Sequence, residues 1–89
     1  MKIIRRTSQF KKDVKRLQKR GRDMSLFKDI ILRLAARQNL DAKHRDHALV
    51  GNFYGTRECH INPDWLLIYR ISDDDLILIR TGSHADLFE

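Results

Sequence analysis

The sequence is short of the residues that build cross-linked or membrane-bound scaffolds. It has one cysteine, Cys59, so no disulfide can form within the chain, and a reducing, cytoplasmic setting is expected. Cys59 itself reads as a small buried strand residue rather than as a nucleophile. The longest apolar run is five residues, Trp65 to Tyr69, far below the roughly 20 that a membrane-spanning helix needs. The basic N-terminus lacks the apolar segment of a secretory signal, so no membrane partner is expected. Neither a glycine-rich phosphate loop nor a paired-carboxylate metal cluster is present. Acid is scarce at the start of the chain. Residues 1–22 hold ten Lys or Arg against Asp13 alone, net +9, and residues 23–89 hold eight against eleven, net −3. Positive charge concentrated in this way points to a polyanionic partner, without choosing between RNA, DNA and an acidic protein.

At 89 residues the chain reads as one domain, 1–89, and its 42% hydrophobic and 34% charged content fits a globular class. Ile3-Ile4 marks a first strand over Lys2 to Arg5. Thr7 or Ser8 caps a helix in which Phe10, Val14 and Leu17 recur at helical spacing, and Gly21 stops it. The outer faces of this helix carry Lys11, Lys12, Lys15, Arg16, Lys19 and Arg20. A second helix begins at Asp23 or Ser25, with Leu26, Phe27, Ile30, Ile31 and Leu34 as a stripe toward a core. After a polar loop, Asp41 to Asp46, the pattern turns to period two. A brief segment at Ala48 to Val50 is followed by strands at Thr56 to Ile61, Trp65 to Ile71 and Leu76 to Thr81, and Gly82 leaves a short tail. The expected fold is α+β: an N-terminal strand and a two-helix hairpin packed on one face of a mainly antiparallel sheet, the other face being free for chemistry. Alternation puts Thr56, Glu58 and His60 on one side of their strand, and Leu76, Leu78 and Arg80 together on theirs.

Reactive side chains gather in two places: Cys59-His60-Ile61-Asn62-Pro63-Asp64-Trp65, and Arg80-Thr81-Gly82-Ser83-His84-Ala85-Asp86-Leu87-Phe88. Cutting RNA without a metal needs a base for the ribose 2′-OH, an acid for the leaving 5′-oxygen and a cation on the phosphorane. Imidazole suits either proton role near neutral pH, and guanidinium suits the third. His60 and His84 are the candidates for proton transfer, Asp64 for orienter or co-base, Arg80 for phosphate clamp, and His47 for a second proton or phosphate contact. Trp65 and Phe88 are candidates for base stacking, each with burial in the core as the competing reading. His44 reads as an exposed bystander. Zinc is the rival use of these histidines, but Cys59 and His60 are strand neighbours on opposite faces, so no metal ligands and no cofactor are assigned.

Asp46-His47-Ala48-Leu49, Gly51, His60 to Tyr69 and Arg80 to Phe88, in collinear order with the basic first helix and Asp23-Met24, resemble the YafQ group of toxins in the RelE/ParE superfamily. The resemblance covers nearly the whole chain, and His-x-x-Pro-Asp-Trp joined to Arg-Thr-Gly-x-His is a specific pattern. It implies a RelE-like, microbial-ribonuclease-like fold. It also implies a type II toxin that cuts mRNA in the ribosomal A site and stops translation. The implied partners are a cognate antitoxin, the ribosome with its rRNA, and mRNA, with operator DNA bound only through the antitoxin complex. The family's functional positions fall on His47, His60, Asp64, Trp65, Arg80, His84 and Phe88, all matched in type. The chain departs from the pattern at Ala48, where the family has proline, and its closing Glu89 is an acid beside an RNA site. The alternatives are a non-catalytic gyrase inhibitor, as in the ParE branch, and an inactive nucleic-acid-binding module.

Overall fold

Residues 1–88 are described by a computed structural model; Glu89, expected to disfavour a nearby RNA, lies outside them. Thr7 separates the first strand, β1 (Ile3–Arg6), from the first helix, α1 (Ser8–Lys19). Its hydroxyl accepts the Phe10 N–H at 3.0 Å and donates to the Ile79 carbonyl at 2.8 Å, so the cap also fastens the helix start to the sheet. Gly21, at φ +76°, ends the helix, its N–H returning to the Gln18 carbonyl. Asp23 then caps α2 (Met24–Ala35) by accepting the Ser25 N–H at 2.9 Å.

Phe10 and Leu17 of α1 and Phe27, Ile30 and Leu34 of α2 are buried, as their spacing predicts. Leu26, expected in the same stripe, is 41% exposed. It lies more than a quarter turn round from Phe27, beyond the flank of the buried arc. The helices meet where Phe10 stacks on Phe27 at 6.0 Å, and Phe27 stacks in turn on Trp65 at 5.0 Å.

The other strands are β2 (His47–Ala48), β3 (Arg57–Asn62), β4 (Trp65–Ile71) and β5 (Asp75–Gly82). They form one sheet in the order β1-β5-β4-β3-β2, antiparallel throughout except that β1 runs parallel to β5. One face packs Cys59, Ile61, Trp65, Leu67, Tyr69, Leu76 and Leu78 against the two long helices. The other face, expected to be free for chemistry, also has a small core of its own: Leu66, Ile68 and Leu87, flanked by Leu49, Phe53 and Ile79.

Two features of β5 depart from expectation. A bulge at Ile79 shifts the register, so Leu78 pairs with Tyr69 while Arg80 stands opposite Ile68. Arg80 therefore leaves the face it would share with Leu78 under strict alternation. The residues after Gly82, read as a tail, form a helix, α3 (His84–Phe88). Ser83 and Asp86 cap it reciprocally: Asp86 accepts the Ser83 N–H at 3.0 Å, and the Ser83 hydroxyl accepts the Asp86 N–H at 3.1 Å.

Candidate active site

Register across the sheet decides which polar residues meet. His47 pairs with Glu58, Glu58 with Ile68 and Ile68 with Arg80, forming one cross-sheet row; His60, Leu66 and Gly82 form the next. Strand spacing of about 4.8 Å puts the Cα atoms of His60 and Gly82 about 10 Å apart. His84 begins α3 two residues past Gly82, and α3 packs Leu87 on Leu66 and Ile68. The sheet thus collects His47, His60, His84 and Phe88 on the side away from the long helices, with Arg80 rooted in the first of these rows and its guanidinium turned to α1.

The carboxylate set against His60 is Glu58, not Asp64. Glu58 is 7% exposed. Its Oε1 lies 3.4 Å from His60 Nε2 and 3.7 Å from His47 Nε2, within ion-pair range of both rings when they are protonated. His47 donates its Nδ1–H to the Arg45 carbonyl at 2.6 Å, which turns its Nε2 toward Glu58. Asp64, by contrast, projects from the β3–β4 turn with its side chain 73% exposed, and its ion-pair partner is Arg22 at 3.8 Å. The turn directs it outward because Asn62 Oδ1 accepts the Asp64 N–H, closing an Asx turn.

His44 is not an exposed bystander. It is buried, and its Nδ1–H donates to the His60 carbonyl at 2.6 Å, bracing the strand beneath the imidazole. Asp46 anchors the same loop: it accepts the Tyr69 hydroxyl at 2.6 Å and Arg57 Nε at 3.1 Å. Burial first, and then this bond, raise the Tyr69 phenol above its usual range.

Arg80 is held by a residue of the first helix to which the sequence pattern assigns no role. Asp13, fully buried on α1, accepts Arg80 Nε at 2.8 Å and Nη2 at 3.2 Å, and also the Thr81 N–H at 3.2 Å. The two bonds fix the plane of the guanidinium and leave Nη1 outside the pair. Asp13 lies three residues after Phe10 and four before Leu17, on the apolar face of α1. A charge at such a position requires a buried partner, and that was the signal for it.

His84 is exposed, with its ring 4.9 Å from that of Phe88; Phe88, 39% exposed, meets Phe53 edge-on at 5.7 Å. Asp86, on the same short helix, pairs with Arg20 at 2.9 Å and Arg16 at 3.6 Å. The Arg20 bond, followed by the Ser83 N–H, holds the Asp86 carboxyl well below the usual carboxylate range. Arg16 and Arg20 therefore tie α1 to α3 in addition to lying on the basic face. Lys11, Lys12, Lys15 and Lys19 are exposed along that face.

Trp65 presents no stacking shelf. It is 2% exposed, donates Nε1–H to the Thr81 hydroxyl at 2.8 Å and has the Arg22 guanidinium 5.7 Å from its ring centre. As the first residue of β4 it points to the helix side, where Phe27 covers it. Cys59 is also buried on that side, and burial pushes its thiol up to about 12. It faces away from His60, and among the described residues no three His, Cys, Asp or Glu side chains are grouped to hold a metal ion. No helix among them is long and apolar enough to cross a membrane.

Comparison with known proteins gives the family and the fold. A family profile described as "Bacterial toxin of type II toxin-antitoxin system, YafQ" matches residues 2–89. The mRNA interferase toxin YafQ of Escherichia coli K12 is 43% identical over 86 residues, 96% of this chain and 94% of that one. The crystal structure of YafQ from E. coli BL21(DE3) matches with a TM-score of 0.94 at 40% identity, over 100% of both chains. YafQ in the E. coli DinJ–YafQ complex matches at 0.92 and 41%, again over 100% of both.

Proposed function

The chain belongs to the YafQ family of bacterial type II toxin–antitoxin toxins, and on that premise we propose that it stops translation by cutting mRNA in the ribosomal A site through acid–base chemistry at the β3–β5 face. It is an mRNA interferase, an endoribonuclease, as its E. coli relatives are named. A cognate antitoxin is its partner, by analogy with DinJ in the complexes of the related toxin.

The observation that carries the mechanism is the cross-sheet register. It aligns His60 and Arg80 on adjacent rows of the sheet, with His84 beginning α3 at the end of the second row. A ribose–phosphate linkage held between His60 and His84, at the edge of the small core that α3 covers, has imidazole on either side of it. One ring takes the 2′-hydroxyl proton as that oxygen attacks phosphorus, and the other protonates the departing 5′-oxygen. Arg80 supplies positive charge where the phosphorane becomes dianionic, its fork held ready by Asp13. Glu58 orients His47 and His60 together. Phe88 offers the exposed aromatic face for a base, the role that the burial of Trp65 excludes for the indole. The lysines of α1 supply salt-sensitive contact with rRNA phosphates. Asp64 stays outside this assembly, on the rim of the turn.

The test is to map 5′ ends of mRNA on programmed ribosomes, wild type beside His84→Ala. Discrete A-site ends that vanish in the variant are expected, as is loss of cutting when the nucleotide 5′ to the scissile phosphate is 2′-deoxy. Cutting of the 2′-deoxy substrate, or blocked DNA supercoiling without any RNA ends, overturns the reading.

A further inference from the structure

The loop between α2 and β2 carries charge that the mechanism above leaves unused. Lys43 and Arg45 are exposed, and with His60 and Pro63 they line a cavity of about 160 Å³. Its lining thus includes His60, assigned above to proton transfer. Lys43 and Pro63 also border a second hollow, of about 330 Å³, walled by Leu26, Ile61 and Asn62. The exposed Leu26 side chain, displaced from the helix core, lies there.

This loop is braced at three points. Buried His44, between the two cations, bonds the His60 carbonyl; His47 bonds the Arg45 carbonyl; and Asp46 is held by Tyr69 and Arg57. Arg45 itself has φ +47° and ψ +46°. Non-glycine residues hold such left-handed backbone at a cost, and the surrounding contacts maintain it here. Both carboxylates of the segment are placed away from the cavity lining, and Asp46 is already satisfied by the hydroxyl and the guanidinium. Two cations on a braced loop, over a small hollow beside an apolar one, match a tetrahedral anion joined to a nucleoside.

We propose that Lys43 and Arg45 form a subsite for an mRNA phosphate next to the one being cut, on the His60 side of the site, with the attached nucleoside lying over Pro63 and Leu26. This rests on the assignment of the protein as an mRNA-cutting enzyme and extends its substrate contact beyond the scissile linkage. The hollow adjoins His60, on which the proposed cut is made, so the chain that reaches the cut reaches these cations too, which favours the mRNA over an acidic peptide.

The experiment is single-turnover cleavage on programmed ribosomes by wild type and by Lys43→Ala/Arg45→Ala, with methylphosphonate replacing each flanking phosphate in turn. Loss of two phosphate-binding cations raises the half-saturating toxin concentration about tenfold or more, while the rate at saturation holds within about threefold. One neutral flanking linkage weakens the wild type similarly and leaves the double variant no worse. Lys43→Gln/Arg45→Gln, which keeps polar stems on the loop, behaves the same way, with unfolding midpoints checked for every variant. Unchanged cleavage accompanied by weaker antitoxin binding overturns the proposal in favour of an acidic protein partner. A loss blind to every neutral mRNA linkage overturns it in favour of rRNA, and fully additive losses overturn it outright. A wild type that cuts no mRNA fails the parent assignment instead, and is recognised by the absence of ends before any variant is compared.

Discussion

Arg80 reaches Asp13 through two parallel bonds, Nε at 2.8 Å and Nη2 at 3.2 Å, joining the last strand to the middle of the first helix. Asp13 is wholly buried while Arg80 keeps partial contact with solvent, so the pair is a support with one side open to a ligand. Asp13→Ala leaves the guanidinium and the Thr81 N–H without their acceptor and lowers stability by about 3 kcal/mol. Asp13→Asn, which keeps an acceptor for Thr81, loses less. Urea unfolding measures both, and a change under about 0.5 kcal/mol for the alanine variant would show that the pair does not hold the fold.

Arg80→Lys keeps the charge but loses the fork. Cleavage is expected to fall about 100-fold and the unfolding midpoint to drop as well, though by less than in Asp13→Ala. An ammonium keeps a charge near Asp13 but cannot grip it with two bonds and also present a planar donor to phosphate. Cleavage at the wild-type rate would remove Arg80 from the phosphate site.

Glu58→Gln preserves shape and burial and removes the charge shared by His47 and His60. Single-turnover cleavage is expected to drop about 10–100-fold, and adding His47→Ala to the Gln variant should cost less than His47→Ala does alone. Full additivity of the two changes would separate the residues functionally.

Asp86 makes stability depend on pH in the acid range. Its folded-state carboxyl sits well below its ordinary value, first through the Arg20 bond and then through the Ser83 N–H. The unfolded chain therefore binds the proton first as pH falls. The contribution is fully present above about pH 4 and is lost as pH drops through the folded-state value. Asp86→Asn is accordingly less stable than wild type at pH 7, and the gap narrows below about pH 4. Parallel urea melts at the two pH values check this; a gap that widens in acid contradicts it. Gly82 belongs to the same unit, since a Cβ there would lie 3.0 Å from Asp86 Cβ and Oδ2. Gly82→Ala should loosen α3 and lower cleavage through His84.

Cys59 should ignore thiol reagents. With the thiol pushed up to about 12 and no solvent contact, labelling of native protein at pH 8 proceeds only through unfolding, orders of magnitude slower than in urea. Rapid native labelling would place Cys59 at the surface.

Several features were legible because their signals are local. Thr7 and Asp23 cap helices through bonds that span three residues or fewer, and the switch from Ala48 onward to period two and to β-branched or aromatic residues marks the strands irrespective of what they pack on. α3 was missed because five residues are too few for periodicity, although Ser83 and Asp86 at capping spacing were there to be read. Alternation failed at Ile79, since a bulge depends on how β4 and β5 fit together and not on the composition of either. His44 left its expected exposed setting for a related reason: burial is set by what arrives from elsewhere, here the β3 backbone at His60, whereas Leu26 is exposed because it lies past the flank of the buried arc of α2.

By itself the sequence determined the element types, the basic first helix and the family signature that spans His47 to Phe88, because these depend on neighbours a few residues apart. Only the tertiary structure decided that Glu58 rather than Asp64 faces the histidines, that Asp13 grips Arg80, and that Trp65 is buried in the core. Each of those outcomes turns on strand register and on pairing between distant segments, where a shift of one residue reverses the face to which a side chain points.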